Sequence, residues 1–128
     1  MRKEDIDAIK LATILELINE LTHKAKLVGI VFANKEGELI VDNLQLEFNK
    51  ESFTSMCASA LESMSILSKL VGKDKANKII AESPDNILLL IACGDSNFLI
   101  IILNDESKTD LLFSELNKLI KKCILLFE

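Results

Sequence analysis

Tryptophan and tyrosine are absent from this chain, and six phenylalanines are its only other large aromatics. Missing with them are the amphipathic rings that anchor many protein interfaces and stack on bases, so any contact surface here has to be aliphatic. Histidine occurs once, as His23. With no second histidine or neighbouring cysteine, no metal or triad role is expected of it, and the imidazole reads as a mild complement to the end of a helix. The four glycines, Gly29, Gly37, Gly72 and Gly94, stand alone. Neither the G-x-x-x-x-G-K phosphate loop nor the G-x-G-x-x-G dinucleotide turn can be built from them, which excludes nucleotide hydrolysis of the common kinds.

Cysteine is scarce as well. Cys57, Cys93 and Cys123 are odd in number, widely spaced and set among apolar or small residues, which fits neither a disulfide framework nor a metal site. They read as buried thiols in a reducing cytosol, and no catalytic residue, metal or cofactor is expected. Positive charge is also short: fifteen Lys and Arg face twenty Asp and Glu, a formal charge of −5, the wrong sign for a phosphate-backbone partner. No nucleic acid is therefore expected. The densest apolar stretch, Ile87 to Leu103, is split by Gly94-Asp95-Ser96-Asn97 into runs of seven and six residues, too short to span a bilayer. The charged start, Met1 to Asp7, lacks the apolar block of a signal peptide, so a cytoplasmic protein without a transmembrane segment is expected.

With 49% hydrophobic and 27% charged residues over a length of 128, the chain has the balance and size of one globular domain spanning residues 1–128. From about Lys3 to Lys24, Ile14, Leu17, Ile18 and Leu21 recur at helical spacing among eight charged residues. Leu27 to Ala33 is apolar and β-branched, Asn34-Lys35-Glu36-Gly37 has turn chemistry, and Glu38 to Asp42 alternates, which makes a β-hairpin. After a loop from Asn43 to Phe48, Asn49 or Ser52 caps a second helix of about twenty residues, and Gly72 ends it in a left-handed conformation. Asn77 to Ser83 reads as a strand with Lys78 and Glu82 on one face, Pro84-Asp85 turns the chain, and Ile87 to Cys93 and Phe98 to Leu103 follow as apolar strands. Ser107-Lys108-Thr109-Asp110 resembles a capping box, and Asp105 and Glu106 beside it read as dipole-facing acids rather than a paired-carboxylate site. The last helix carries Leu112, Leu116, Leu119, Ile120, Cys123 and Phe127 on one stripe.

The order α-β-β-α-β-β-β-α constrains the topology. Strands one, four and five are apolar on both faces and belong at the centre; strands two and three are short or charged and belong at the edges. If strand five lies beside strand one, an α/β (α+β) fold with a five-stranded antiparallel sheet in the order 2-1-5-4-3 and helices on both faces results. Strand three is then an open edge. Lys69, Lys73, Lys75 and Lys78 cluster near it, either as solvated lysines that discourage promiscuous pairing or as a contact for an acidic partner or anionic lipid.

The second helix is too apolar for one sheet face. Between Ser52 and Val71 only Glu62 and Lys69 are charged, against six charges from Lys108 to Phe127. Phe53, Cys57, Ala60, Leu61, Met64, Leu67 and Val71 supply an inner stripe, and Met56, Ser59, Ser63, Ile66 and Leu70 form a second one beside it. Small residues at Ser55, Ala58, Ser59 and Ser63 would let another helix approach. Burying Met56, Ile66 and Leu70 in both members of a pair contributes about 9–18 kcal/mol gross at 1.5–3 kcal/mol per side chain, against an association cost of about 4–15 kcal/mol. Pairing of the open third strand with its symmetry mate would add backbone hydrogen bonds. The expected contact is therefore Met56, Ser59, Ser63, Ile66 and Leu70 with Lys78, Ile80 and Glu82 of the edge strand.

In the hairpin LVGIVFANKEGELIVDN, the Ala- and Ser-rich second helix running into LVGKDKANKIIAE, and LLLIACGDSNFLIIILNDESKTDLLFSELNKL, the chain resembles the Roadblock family, dynein light-chain and GTPase-regulator domains with a profilin-like sheet. The resemblance covers nearly the whole length. It implies a homodimer, or a heterodimer with a paralogous Roadblock protein, joined through second helices and third strands into a ten-stranded sheet. It also implies a non-enzymatic scaffold or regulator that binds a small Ras-like GTPase or a motor subunit, with no arginine finger; the single Arg2 accords with that. Ser55, Glu62, Lys69 and Lys73 are the residues expected to meet such a partner. The serine-rich side of the second helix departs from the Ala and Leu that many members carry. A competing expectation is a ligand sensor with a cavity lined by Phe53, Met64 and Phe98.

Overall fold

In the computed structural model, which describes residues 2–128, the elements follow the expected order: α1 (Lys3–Ala25), β1 (Gly29–Asn34), β2 (Leu39–Asp42), α2 (Lys50–Leu70), β3 (Lys78–Glu82), β4 (Ile87–Cys93), β5 (Asn97–Leu103) and α3 (Thr109–Phe127). α1 buries Ile14, Ile18, Leu21 and Ala25, one line at helical spacing. It ends where Lys26 turns left-handed at φ 53° and the Leu27 N–H donates to Thr22 C=O at 3.0 Å, so β1 starts two residues later than its apolar run. In the β1–β2 turn the Asn34 carboxamide oxygen accepts from the Glu36 and Glu38 N–H groups, and Gly37 takes φ 97°. A Cβ there would stand 3.0 Å from Ser55 Cα, so the glycine also sets how closely α2 lies on the hairpin.

Asn49 caps α2, its side chain accepting from the Ser52 N–H at 3.0 Å. The Lys50 ammonium bridges the Asp42 carboxylate at 2.9 Å and the Leu44 carbonyl at 3.0 Å, pinning the start of α2 to the end of β2. The capping box expected before α3 does not form. Lys108 occupies the cap position without a side-chain bond, while Ser107 Oγ donates to Lys26 C=O at 2.8 Å and accepts from the Asn104 N–H. Ser107 thus ties its loop to the end of α1. Asp105 and Glu106 belong to the turn before the helix, where the Glu106 N–H donates to Asn104 Oδ1; only Asp110 is acidic in the first turn of α3.

The sheet is antiparallel in the order β2-β1-β5-β4-β3. β5 is buried along its length, as the central strand of a sheet covered on both sides must be. One face sends Ile30, Phe32, Leu89, Ile91, Leu99 and Ile101 against α1 and α3; the other sends Val31, Ala33, Leu90, Phe98 and Ile100 against α2.

α2 keeps Phe53, Cys57 and Leu61 of the expected inner stripe toward the sheet but rotates the rest of it outward. Thr54, Cys57, Ala58 and Leu61 are buried, Phe53, Ser65 and Ser68 are half-buried, and Ala60, Met64, Leu67 and Val71 are exposed. The helix packs over β1 and β2. Small residues allow the close approach: the Thr54 hydroxyl is satisfied by Lys50 C=O at 2.7 Å, and Ser65 Oγ donates to Ala76 C=O at 3.1 Å. The ligand cavity has no walls in this arrangement, because Phe98 is wholly buried in the sheet–α2 core while Met64 faces outward.

Candidate docking surface

Because α2 rests on its small-residue line, its large aliphatic side chains are left outside. Met56 is 73% exposed and Leu70 76%, with Ile66 half open between them and Ser59 and Ser63 exposed in the gaps. These five residues share one side of the helix, as the spacing predicts. The stripe is broader than expected, for Met64, Leu67 and Val71 stand exposed on the flank opposite Glu62 and Lys69. So large a contiguous apolar surface is unusual on a solitary domain.

The edge strand presents its expected contact residues away from this stripe. Register with β4 sets Ile79 opposite Leu90 and Ala81 opposite Leu88, on the α2 side of the sheet, whereas Lys78, Ile80 and Glu82 oppose Ile91, Leu89 and Ile87 on the side of α1 and α3. Lys78, Ile80 and Glu82 therefore do not join the α2 stripe. Ile80, 54% exposed, shares its side of the sheet with Phe113 of α3, and the Lys78 ammonium lies 5.6 Å from the centre of the Phe113 ring. The expected basic cluster is dispersed accordingly: Lys78 is on one sheet face, Lys75 bridges Asp95 at 3.1 Å, and Lys69 and Lys73 are exposed at the end of α2.

Ser55 and Glu62 come together in a groove of about 470 Å³ with the charged side chains Lys35, Glu36, Lys75 and Asp95. Lys69 and Lys73 lie outside it. The Lys35 ammonium donates to Gly94 C=O at 3.0 Å; partial burial, with the neighbouring Lys75 charge, lowers its pKa. The hydrogen bond from Lys75 holds the Asp95 carboxyl below its ordinary value. No local pattern in the sequence joins Lys35 to Asp95, since they meet only through the β1–β5 pairing. A second groove, apolar and about 580 Å³, opens beside the first turn of α2, where Phe48 and Phe53 meet edge to face at 5.2 Å and Leu46 is exposed. The loop from Asn43 to Phe48 gave no sign of it.

Chemically reactive groups are withdrawn from these surfaces. The three thiols are buried; burial pushes Cys57 up to about 11, and a hydrogen bond with Cys123, with burial, pushes Cys93 further up. Among the described residues no group of three or more His, Cys, Asp or Glu could hold a metal, and no helix is long and apolar enough to cross a membrane.

In sequence the chain matches no protein-family model and no curated protein. In structure it superposes on MglB of Myxococcus xanthus with a TM-score of 0.83 at 22% identity, over 90% of this chain and 94% of that one. The fold is of the Roadblock type. An MglB described in a tetrameric arrangement gives a TM-score of 0.83 at 11% identity, over 91% of this chain and 89% of the other. A Roadblock/LC7 domain from Streptomyces avermitilis gives 0.73 at 14% identity, over 84% and 91%. In this Roadblock-type chain the fold leaves α2 uncovered on its outer side and β3 open along its outer edge.

Proposed function

We propose that this protein is a non-catalytic, cytoplasmic scaffold or regulator that dimerises and, as a dimer, binds a small Ras-like GTPase. The observation that carries the reading is the aliphatic stripe of α2, where Met56, Ile66, Leu67 and Leu70 are each more than half exposed along one helix of a Roadblock-type fold. Met56, Ile66 and Leu70, with Ser59 and Ser63 allowing close approach, meet the same helix of a partner, while Lys78, Ile80 and Glu82 line the open edge of β3. Ser55, Glu62, Lys69 and Lys73 then frame a surface for the GTPase. A described tetramer among the structural neighbours supports association of such folds. The withdrawn thiols and the lone exposed His23 favour a binding role.

Sedimentation at micromolar concentration should give a dimer, and Ile66→Asp should convert it to monomer with an unchanged circular dichroism spectrum. A parent that sediments as a monomer removes the dimer. Capture from the native host in the presence of GDP or a non-hydrolysable GTP analogue should recover a small GTPase; its absence in both nucleotide states removes the regulatory reading.

A further inference from the structure

We infer that Cys93 and Cys123 form a redox site, two thiols held in contact beneath the end of α3 that a hydroperoxide converts to an intramolecular disulfide when that end of the helix lifts. The inference is independent of the dimer reading.

Nothing in the spacing of the cysteines joins these two, and they meet only through the packing of α3 on β4. Alternation along β4 puts Leu89, Ile91 and Cys93 on the face toward α1 and α3, where Cys123 shares the buried line of α3 with Leu112, Leu116 and Leu119. Cys93 stands opposite Asn97 of β5, whose side-chain amide donates to Phe127 C=O at 3.4 Å. Phe127 lies one turn beyond Cys123, so this bond brings the end of α3 down on the end of β4. There the two thiols share a hydrogen bond, and Ile91 C=O accepts from the Cys93 thiol at 3.8 Å. Cys57 belongs to the core on the other face of the sheet and reaches neither.

While closed, the pair is inert. Both cysteines are wholly buried, and burial with the shared hydrogen bond keeps Cys93 a thiol instead of the nucleophilic thiolate. Few contacts hold it closed. The Ser96 N–H donates to the Glu128 carboxylate at 2.7 Å, and Gly94, at φ 79° and without a Cβ, leaves room for that side chain. With the Asn97 bond and an edge-to-face contact of Phe127 on Phe32 at 5.3 Å, this fixes the stretch of helix next to Cys123. Local opening of such a segment needs less free energy than unfolding of the whole domain.

Once the helix end lifts, the chemistry balances with one hydroperoxide, here hydrogen peroxide. One sulfur, as thiolate, attacks the peroxide and breaks its O–O bond, giving a sulfenic acid and one water after proton uptake. The second thiolate attacks that sulfur, the S–O bond breaks, and the departing hydroxide takes a proton to become the second water. Two thiols thereby lose two protons and two electrons, and the peroxide is reduced to two waters. The product ties α3 to β4 on the side of the sheet away from the α2 stripe.

The full chain is treated with hydrogen peroxide under conditions that oxidise the thiols of the urea-unfolded chain, then denatured in iodoacetamide and weighed intact. Of its three thiols only Cys57 should take the label, the unlabelled mass should fall by two hydrogen atoms, and peptide mapping should find Cys93 joined to Cys123. Dithiothreitol should restore all three thiols. Glu128→Ala, which removes the acceptor for Ser96, should speed loss of the two thiols by about threefold to tenfold. Three labelled thiols after treatment, a link that involves Cys57 or a second chain, or sulfinic acid in place of the disulfide would each overturn the site. A Glu128→Ala rate equal to that of the parent would overturn the role of the helix end as its gate.

Discussion

Asn43 shows how much one side chain in a connecting segment can hold together. Its carboxamide oxygen accepts from the Ile30 N–H at 2.7 Å, and its nitrogen donates to Asn19 Oδ1 at 3.1 Å and Thr22 Oγ1 at 2.9 Å, so it joins α1 to the β1–β2 hairpin. Ile30 is wholly buried, and removing the acceptor strands its amide where no water reaches. Asn43→Ala should therefore lower stability by about 1–3 kcal/mol, read as a fall in the urea midpoint at unchanged slope. In the sequence this residue reads only as the first position of a loop. Its partners are 13, 21 and 24 positions away, and nothing local in a polar side chain announces such reach.

At the level of the element, α2 separates two kinds of apolar residue that the sequence cannot tell apart. Leu61 is buried against Val31, Leu90 and Phe98, whereas Leu70 is among the most exposed large side chains of the molecule. Leu61→Ala should cost about 2–5 kcal/mol in chemical denaturation, through lost burial and a residual cavity. Leu70→Ser should leave the stability of a dilute, monomeric sample within about 0.5 kcal/mol and act only on association. The helix itself, its Asn49 cap and its Gly72 end were legible from spacing and from residue type. The face it lays down was not, because apolar residues occupy most of its circumference. Contact is chosen by the small residues Thr54, Cys57 and Ala58, which bring the backbone nearest the sheet.

For the whole molecule, an edge strand without a partner and an uncovered helix flank point the same way, toward association. Folding coupled to dimerisation makes apparent stability depend on concentration. The Tm of the parent should rise steadily from micromolar to hundred-micromolar protein, and that of Ile66→Asp should stay flat. A parent Tm independent of concentration would separate the exposed stripe from any self-association.

Apolar runs on both faces mark β1, β4 and β5 as central strands, short or charged runs mark β2 and β3 as edges, and the hairpin and meander connections leave the observed order. These features belong to the sequence because side-chain period and turn chemistry are local. The side of the sheet on which Lys78, Ile80 and Glu82 project, the line on which α2 rests, and the use of Ser107 as a tie to Lys26 instead of a cap belong to the tertiary structure. Each depends on a register or a docking angle between segments distant in the chain. With a strand period of two, a shift of one residue exchanges the faces of a strand without changing a letter of its pattern.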